Sequence, residues 1–285
     1  MLILLTNLCL CLAQPTFNVA DAPHIFAEAV QQQDLDEQLK GLEKLMRDKD
    51  NQTEVLEALA RLRVTAVVIT NQLKSAENPV EGDDKSAMKK IERSSKRNLS
   101  KIADNLMGVI LHPRRKGITA ENMKIWEESV ISLGQLREFG AHDLWQIFSS
   151  NKKFRDEADF LKLCLVEIGS TKDYSLTVDL VELLDDSEFI YIAGAAEALA
   201  KFGDAPGKSR HLAVKSLSKY VSQNYEKIQS NPSDEEAQRK YRIVSQPMIK
   251  ALTALTGQRI VRPLEWTDWW NANKNDSKVW QDKDE

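Results

Sequence analysis

The sequence predicts an all-α protein, an α-solenoid of antiparallel helix pairs with additional helices on its N-terminal side. Three observations lead there. The 285 residues include only 11 glycines and 8 prolines, few for a β protein that must turn about every 8 to 12 residues. Apolar residues recur at helical spacing through most of the chain. In the second half, three segments repeat one plan: an apolar helix, a glycine, a short polar turn and a second amphipathic helix. With 29% charged and 42% hydrophobic residues the balance is that of a globular protein.

The first stretch, "MLILLTNLCLCLAQPTF", has an apolar run too short to span a bilayer and ends its apolar part at Ala13. Residues 1–13 read as an export signal, which places the mature chain outside the cytoplasm. A misplaced start codon and a buried first helix are the alternatives, since no Lys or Arg precedes the apolar run. Neither Cys9 nor Cys11 follows the small residue that a lipid-attachment box requires, and no later segment reaches transmembrane length. Without the signal, Cys164 in "FLKLCLVEIG" is the one remaining cysteine, so no internal disulfide forms. At an apolar helical position it reads as a small core residue.

Residues 22–74 read as a helical pair with a turn near "RDKDNQT". In its second member Val55, Leu56, Leu59, Leu62, Val67 and Ile69 supply an apolar face. Residues 75–87 gather Pro79, Gly82, Asp83 and Asp84 as a loop or hinge. A basic helix over 88–112 follows and stops at His112-Pro113, because proline disfavours helix at the residue before it. Lys85, Lys89, Lys90, Arg93, Lys96, Arg97 and Lys101 make this the most basic stretch. It reads as a solvated face or as a patch for an anionic partner. No aromatic interleaves it for stacking on bases.

From 120 to 270 the repeated plan takes over. "VISLGQLREFGAHDLWQIF", "LKLCLVEIGSTKDYSLTVDLVELL" and "AAEALAKFGDAPGKSRHLAVKSL" superimpose on Gly140, Gly169 and Gly203, spaced by 29 and 34 residues. A glycine just past a helix adopts the left-handed conformation without a Cβ penalty, so each is expected to end its helix. "IKALTALTGQ" places Gly257 in the same role, after an excursion containing "SQNYEKIQSNPSDEEAQRKY" that reads as an insertion between helices.

"DDSEFIYIAGAAEALAKFGDA", residues 185–205, resembles the HEAT-repeat pattern: an acidic turn, a helix with small residues on one face, then Leu-x-x-x-Gly. Ala193, Gly194, Ala195, Ala196 and Ala198 would let neighbouring helices approach closely. Tyr191 and Ile192 stand where such repeats often carry Val-Arg, so the usual Arg ladder is absent at this point. "LTGQRIVRPLEWTDWW" looks like the closing segment of exported bacterial HEAT-repeat proteins. Trp266, Trp269 and Trp270 fall at i, i+3 and i+4, one face of a short helix. That spacing favours an end cap over a ligand-stacking platform, and residues 271–285 read as a flexible tail.

No catalytic, cofactor or metal set emerges. His24, His112, His142 and His211 are scattered, and neither the nucleophile-elbow nor the phosphate-loop pattern occurs. Asp83-Asp84 and Asp185-Asp186 fall where capping favours aspartate. Asn51, Asn98 and Asn275 head Asn-x-Ser/Thr matches that matter only in a eukaryotic secretory pathway. Net charge is −4 and the isoelectric point near 5.8, so nucleic acid is not the expected partner of the molecule as a whole.

The resemblance implies a non-enzymatic scaffold whose partner is another protein. Its candidate contact residues are Trp145, Asp179, Glu182, His211 and Lys215 on the second helices, with Lys89, Lys90, Arg93 and Arg97 on the basic helix. Two alternatives stand beside it: a helical-repeat enzyme of the nucleobase-excision or chromophore-attachment kind, for which Arg114, Arg115 and Lys116 beside Trp126 are the nearest approach, and a basic-helix adaptor.

Overall fold

The computed structural model describes residues 35–48, 51–80, 84–115 and 117–282. The expected export signal and the first part of the 22–74 pair lie outside the described residues. Among the described residues there are eleven α-helices and no strands. They are α1 (Leu35–Met46), α2 (Gln52–Glu77), α3 (Lys85–Ile110), α4 (Ala120–Leu133), α5 (Glu138–Ser150), α6 (Ala158–Thr171), α7 (Thr177–Glu182), α8 (Phe189–Ala200), α9 (Gly207–Ser230), α10 (Glu235–Thr256) and α11 (Pro263–Asn273). Short 3-10 turns at Lys152–Phe154, Tyr174–Leu176 and Leu183–Asp185 fill three of the connections.

Local chemistry sets the helix ends. Asp84 accepts from the backbone N–H groups of Ser86 and Ala87, Thr119 from Asn122 and Asp234 from Ala237, each satisfying an otherwise orphaned donor. Pro263 opens α11 at its first turn, where its missing N–H costs nothing. Gly257 (φ 75) closes α10 with its N–H on the Thr253 carbonyl. Of the four glycines expected to end helices, Gly257 alone does so in the left-handed conformation.

The other three differ. Gly140 lies in the first turn of α5, Gly169 lies inside α6, and Gly203 sits in the turn after α8 without a positive φ. Their common property is close approach. A Cβ on Gly169 would lie 2.6 Å from the Ala198 carbonyl oxygen of α8, and one on Gly203 would lie 2.8 Å from that of Ala254 in α10. Gly140 faces the Leu133 carbonyl, and Gly134 faces the Glu167 side chain of α6. The recurring position is therefore Gly134, Gly169 and Gly203, 35 and 34 residues apart.

These contacts follow the order of packing. α2 touches α4, α4 touches α6, α6 touches α8 and α8 touches α10. On the other side α1 packs on α3, α3 on α5, α7 on α9 and α9 on α11. One continuous cluster of buried apolar side chains runs from Leu39 to Trp266. Burial at about 25 cal/mol per Å² of apolar surface is what holds such layers together.

The excursion after α9 is not a separate insertion. α9 extends to Ser230 and α10 begins at Glu235, so both helices lengthen into it and a four-residue turn joins them. Tyr225 and Tyr241 pair across the extension, ring centroids 5.8 Å apart. Residues 274–282, expected as a tail, are docked. His211 meets Trp270 and Trp280 at 4.7 and 4.9 Å, Trp280 Nε1 donates to the Asn273 carbonyl, and the Gly207 N–H donates to Asp282.

Candidate functional site

The sequence-derived candidates separate into a basic face, an aromatic end and scattered single residues. The basic face lies on α3. Its core side carries Ser95, Leu99, Ile102, Ala103, Leu106, Val109 and Ile110, and the stretch from Lys85 to Ser94 has no buried residue. Lys90, Arg93 and Arg97 lie on the side opposite the core, whereas Lys85 and Lys89 turn towards its flank ahead of the first buried residue, and all five are exposed. Among the described residues none of the five has an ion-pair partner. Their neighbours behave otherwise. Lys96 bridges Glu92 (2.7 Å) and Glu77 (3.6 Å), and Lys101 bridges Asp36 (2.9 Å). The hydrogen bond from Lys101 holds the Asp36 carboxyl below its usual range, and the bond to Glu92 raises Lys96.

Arg114 and Arg115 are taken up by the fold. Arg115 is 3% exposed and donates to the Asp48 carbonyl and to Asn122, while Arg114 donates to the Arg47 carbonyl. They satisfy the carbonyls of the two residues that follow α1. Lys116 lies outside the described residues. Trp126 is fully buried against Phe154, ring centroids 5.1 Å apart, and the Lys153 ammonium sits 3.6 Å above its ring. No base could stack there without unpacking the core.

Among the described residues Lys153 is the most perturbed lysine. It donates to the Ile110 and Arg115 carbonyls, tying the end of α3 to the following loop, and burial lowers its pKa to about 8. Cys164 is fully buried and burial pushes its thiol far up, so it is inert as a nucleophile.

The aromatic end consists of Trp266, fully buried beneath α9, and half-buried Trp269, Trp270 and Trp280. Trp280 lies 6.1 Å from Trp269 and 5.9 Å from Trp270. The indoles pack on one another and on His211, whose Nε2 meets the Lys274 carbonyl.

Of the remaining candidates, Trp145 lies on α5, Asp179 and Glu182 on α7, and Lys215 with His211 on α9. α7 and α9 touch, but the hydrogen bonds and ring contacts of these side chains run to other residues and do not join them into a cluster. Trp145 belongs instead to an aromatic row that sequence reasoning did not pick out. It lies 5.5 Å from Phe148, which lies 5.3 Å from Tyr191 of α8, beside a groove of about 310 Å³ that also takes in Arg155 and Leu161. A sequence separation of 43 residues between Phe148 and Tyr191 hides such a pair from any local pattern.

Asp84 and Asp186 both accept backbone N–H bonds, Asp186 from Glu188 at 2.7 Å. Among the described residues no group of three or more His, Cys, Asp or Glu could hold a metal, and no helix is long and apolar enough to cross a membrane.

In comparison with known proteins, no protein-family profile and no curated protein matches the chain. A crystal structure of an engineered protein is similar at 13% identity over 79% of this chain and 96% of that chain, with a TM-score of 0.33. At that level neither fold nor function is transferred.

Proposed function

We propose that the chain is a non-catalytic interaction module, an α-solenoid of HEAT-like helix pairs whose partner is a protein with an acidic surface. The observation that carries the reading is the exposed surface of α3: five exposed cations without ion-pair partners among the described residues, on a helix whose first ten residues bury nothing. A protein of net charge −4 that keeps five exposed cations on one stretch of helix, with Glu92 the one acid among them, has a surface suited to anions. The sequential contacts among α2, α4, α6, α8 and α10 support the solenoid part of the reading, because stacked repeats contact their neighbours in order.

The test is charge reversal. The variant carrying Lys89→Glu, Lys90→Glu, Arg93→Glu and Arg97→Glu is expected to fold normally, since none of the four contributes to the core. It should lose retention on an anionic matrix at low salt, together with any partner crosslinked to the unmodified protein in its native fraction. Equal retention of both proteins refutes the reading. The compartment belongs to the same proposal: export predicts that the native N-terminus begins at Gln14, which terminal sequencing checks directly.

A further inference from the structure

A cleft of about 140 Å³ lies between α2, the turn joining α4 to α5, and the end of α6. Three cations line it, Lys74, Arg137 and Lys172, and no carboxylate does. Asn71, Gln135 and Ser170 add neutral donors around the same space. We propose that this cleft binds a small oxyanion of the phosphate class.

The backbone supplies the first argument. Arg137 (φ 56) and Lys172 (φ 59) are the non-glycine residues with positive φ among the described residues, and both line this cleft. They stand at equivalent points, three residues after Gly134 and Gly169. Glycine would relieve the strain at either site. The ion pairs they make, Arg137 with Glu77 at 2.6 Å and Lys172 with Asp204 at 2.7 Å, are exposed or half-exposed and stabilise by less than such strain costs. A ligand that uses both cationic side chains accounts for a residue other than glycine at each position.

Donor capacity supplies the second. A guanidinium carries five N–H donors, and Glu77 and Glu138 engage Nη1 and Nε of Arg137, leaving Nη2. An ammonium carries three, and the Lys201 carbonyl and Asp204 engage two of those on Lys172. Lys74 has no ion-pair partner among the described residues. Ser170 accepts from Lys201 and so keeps its own hydrogen to donate. These pairings fix the rim cations in place while leaving donors over, the preorganised arrangement an oxyanion needs. The space equals that of roughly four or five waters, enough for a tetrahedral anion. The carboxylates that pair with the rim lie outside the lining, and at the end of α6 the Lys172 backbone N–H caps the Gly169 carbonyl.

The cleft is distinct from the α3 face, and the inference stands whether or not the interaction reading does. Calorimetric titration at constant low ionic strength, with backbone NMR shifts to locate the site, tests it. Inorganic phosphate should bind saturably and move the amides of residues 135–138 and 170–173. Lys172→Gly, which suits the positive φ, and Lys74→Ala on the exposed face of α2 should each weaken binding about tenfold or more, whereas Lys44→Ala, on α1 and outside the cleft lining, should leave it unchanged. A phosphoserine peptide and its unphosphorylated twin separate the sources. Tighter binding of the former than of phosphate assigns the group to a phosphorylated protein, and equal binding assigns it to the free ion. No saturable binding into the millimolar range, or affinities unchanged in both cleft variants, overturns the proposal.

Discussion

Replacing Gly169 by alanine probes the close approach that joins α6 to α8. A Cβ there would meet the carbonyl oxygen, Cα and carbonyl carbon of Ala198 at 2.6, 2.7 and 3.0 Å. All three are backbone atoms, so no rotamer change relieves the contact. Restoring an ordinary separation of 3.4 Å requires the two helices to part by about 0.8 Å. Forced overpacking of this kind costs about 1–3 kcal/mol, and a contact with backbone alone belongs in the upper part of that range. Alanine returns up to about 1 kcal/mol through helix propensity. The expected net effect is a loss of about 1–2 kcal/mol, or roughly 2–8 °C in Tm for a domain of this size. Gly41 is the matched control, mid-helix in α1 and exposed, where an added Cβ would meet nothing within 4 Å. Gly41→Ala should stabilise by up to about 1 kcal/mol. Urea unfolding of both variants reads the difference. If Gly169→Ala is as stabilising as Gly41→Ala, the packing argument is wrong.

Lys153 gives a pH signature. The unfolded chain holds this proton up to about 10.5 while the folded protein releases it near 8. Folding therefore releases a proton between those values, and stability rises with pH across that window. The rise in urea midpoint between pH 8 and 10 should be smaller in Lys153→Met, and an identical pH dependence would contradict the assignment. Arg210, 5% exposed, donates to the carbonyls of Ala205, Leu255, Val279 and Gln281, so Arg210→Met should cost roughly 3 kcal/mol and release the chain end. Faster tryptic cleavage at Lys274 and Lys278 is the expected sign, and unchanged cleavage counts against the docking. Trp266→Ala should cost about 3–5 kcal/mol as a fully buried ring, well above Trp270→Ala, which removes a half-buried one. Comparable Tm losses in the two variants would argue against the end-cap role of α11.

What could be read from the chain alone was local. The helical class follows from apolar spacing within a few turns, and the caps at Asp84 and Gly257 follow from side chains acting on their own backbone. The basic side of α3 was legible for the same reason, since residues four apart share a face whatever the rest of the protein does. The roles of Gly140, Gly169 and Gly203 were not, because the contact that makes each glycine necessary is with a backbone segment that only folding brings near. Arg115 stood in sequence as a candidate for a basic groove beside Trp126 and is buried on the carbonyl of Asp48, 67 residues away. The tertiary structure likewise decided that Trp280 packs on His211 and that Lys74, Arg137 and Lys172 line one cleft. Periodicity and capping are set by neighbours along the chain, whereas packing and charge convergence depend on how distant helices are laid against each other.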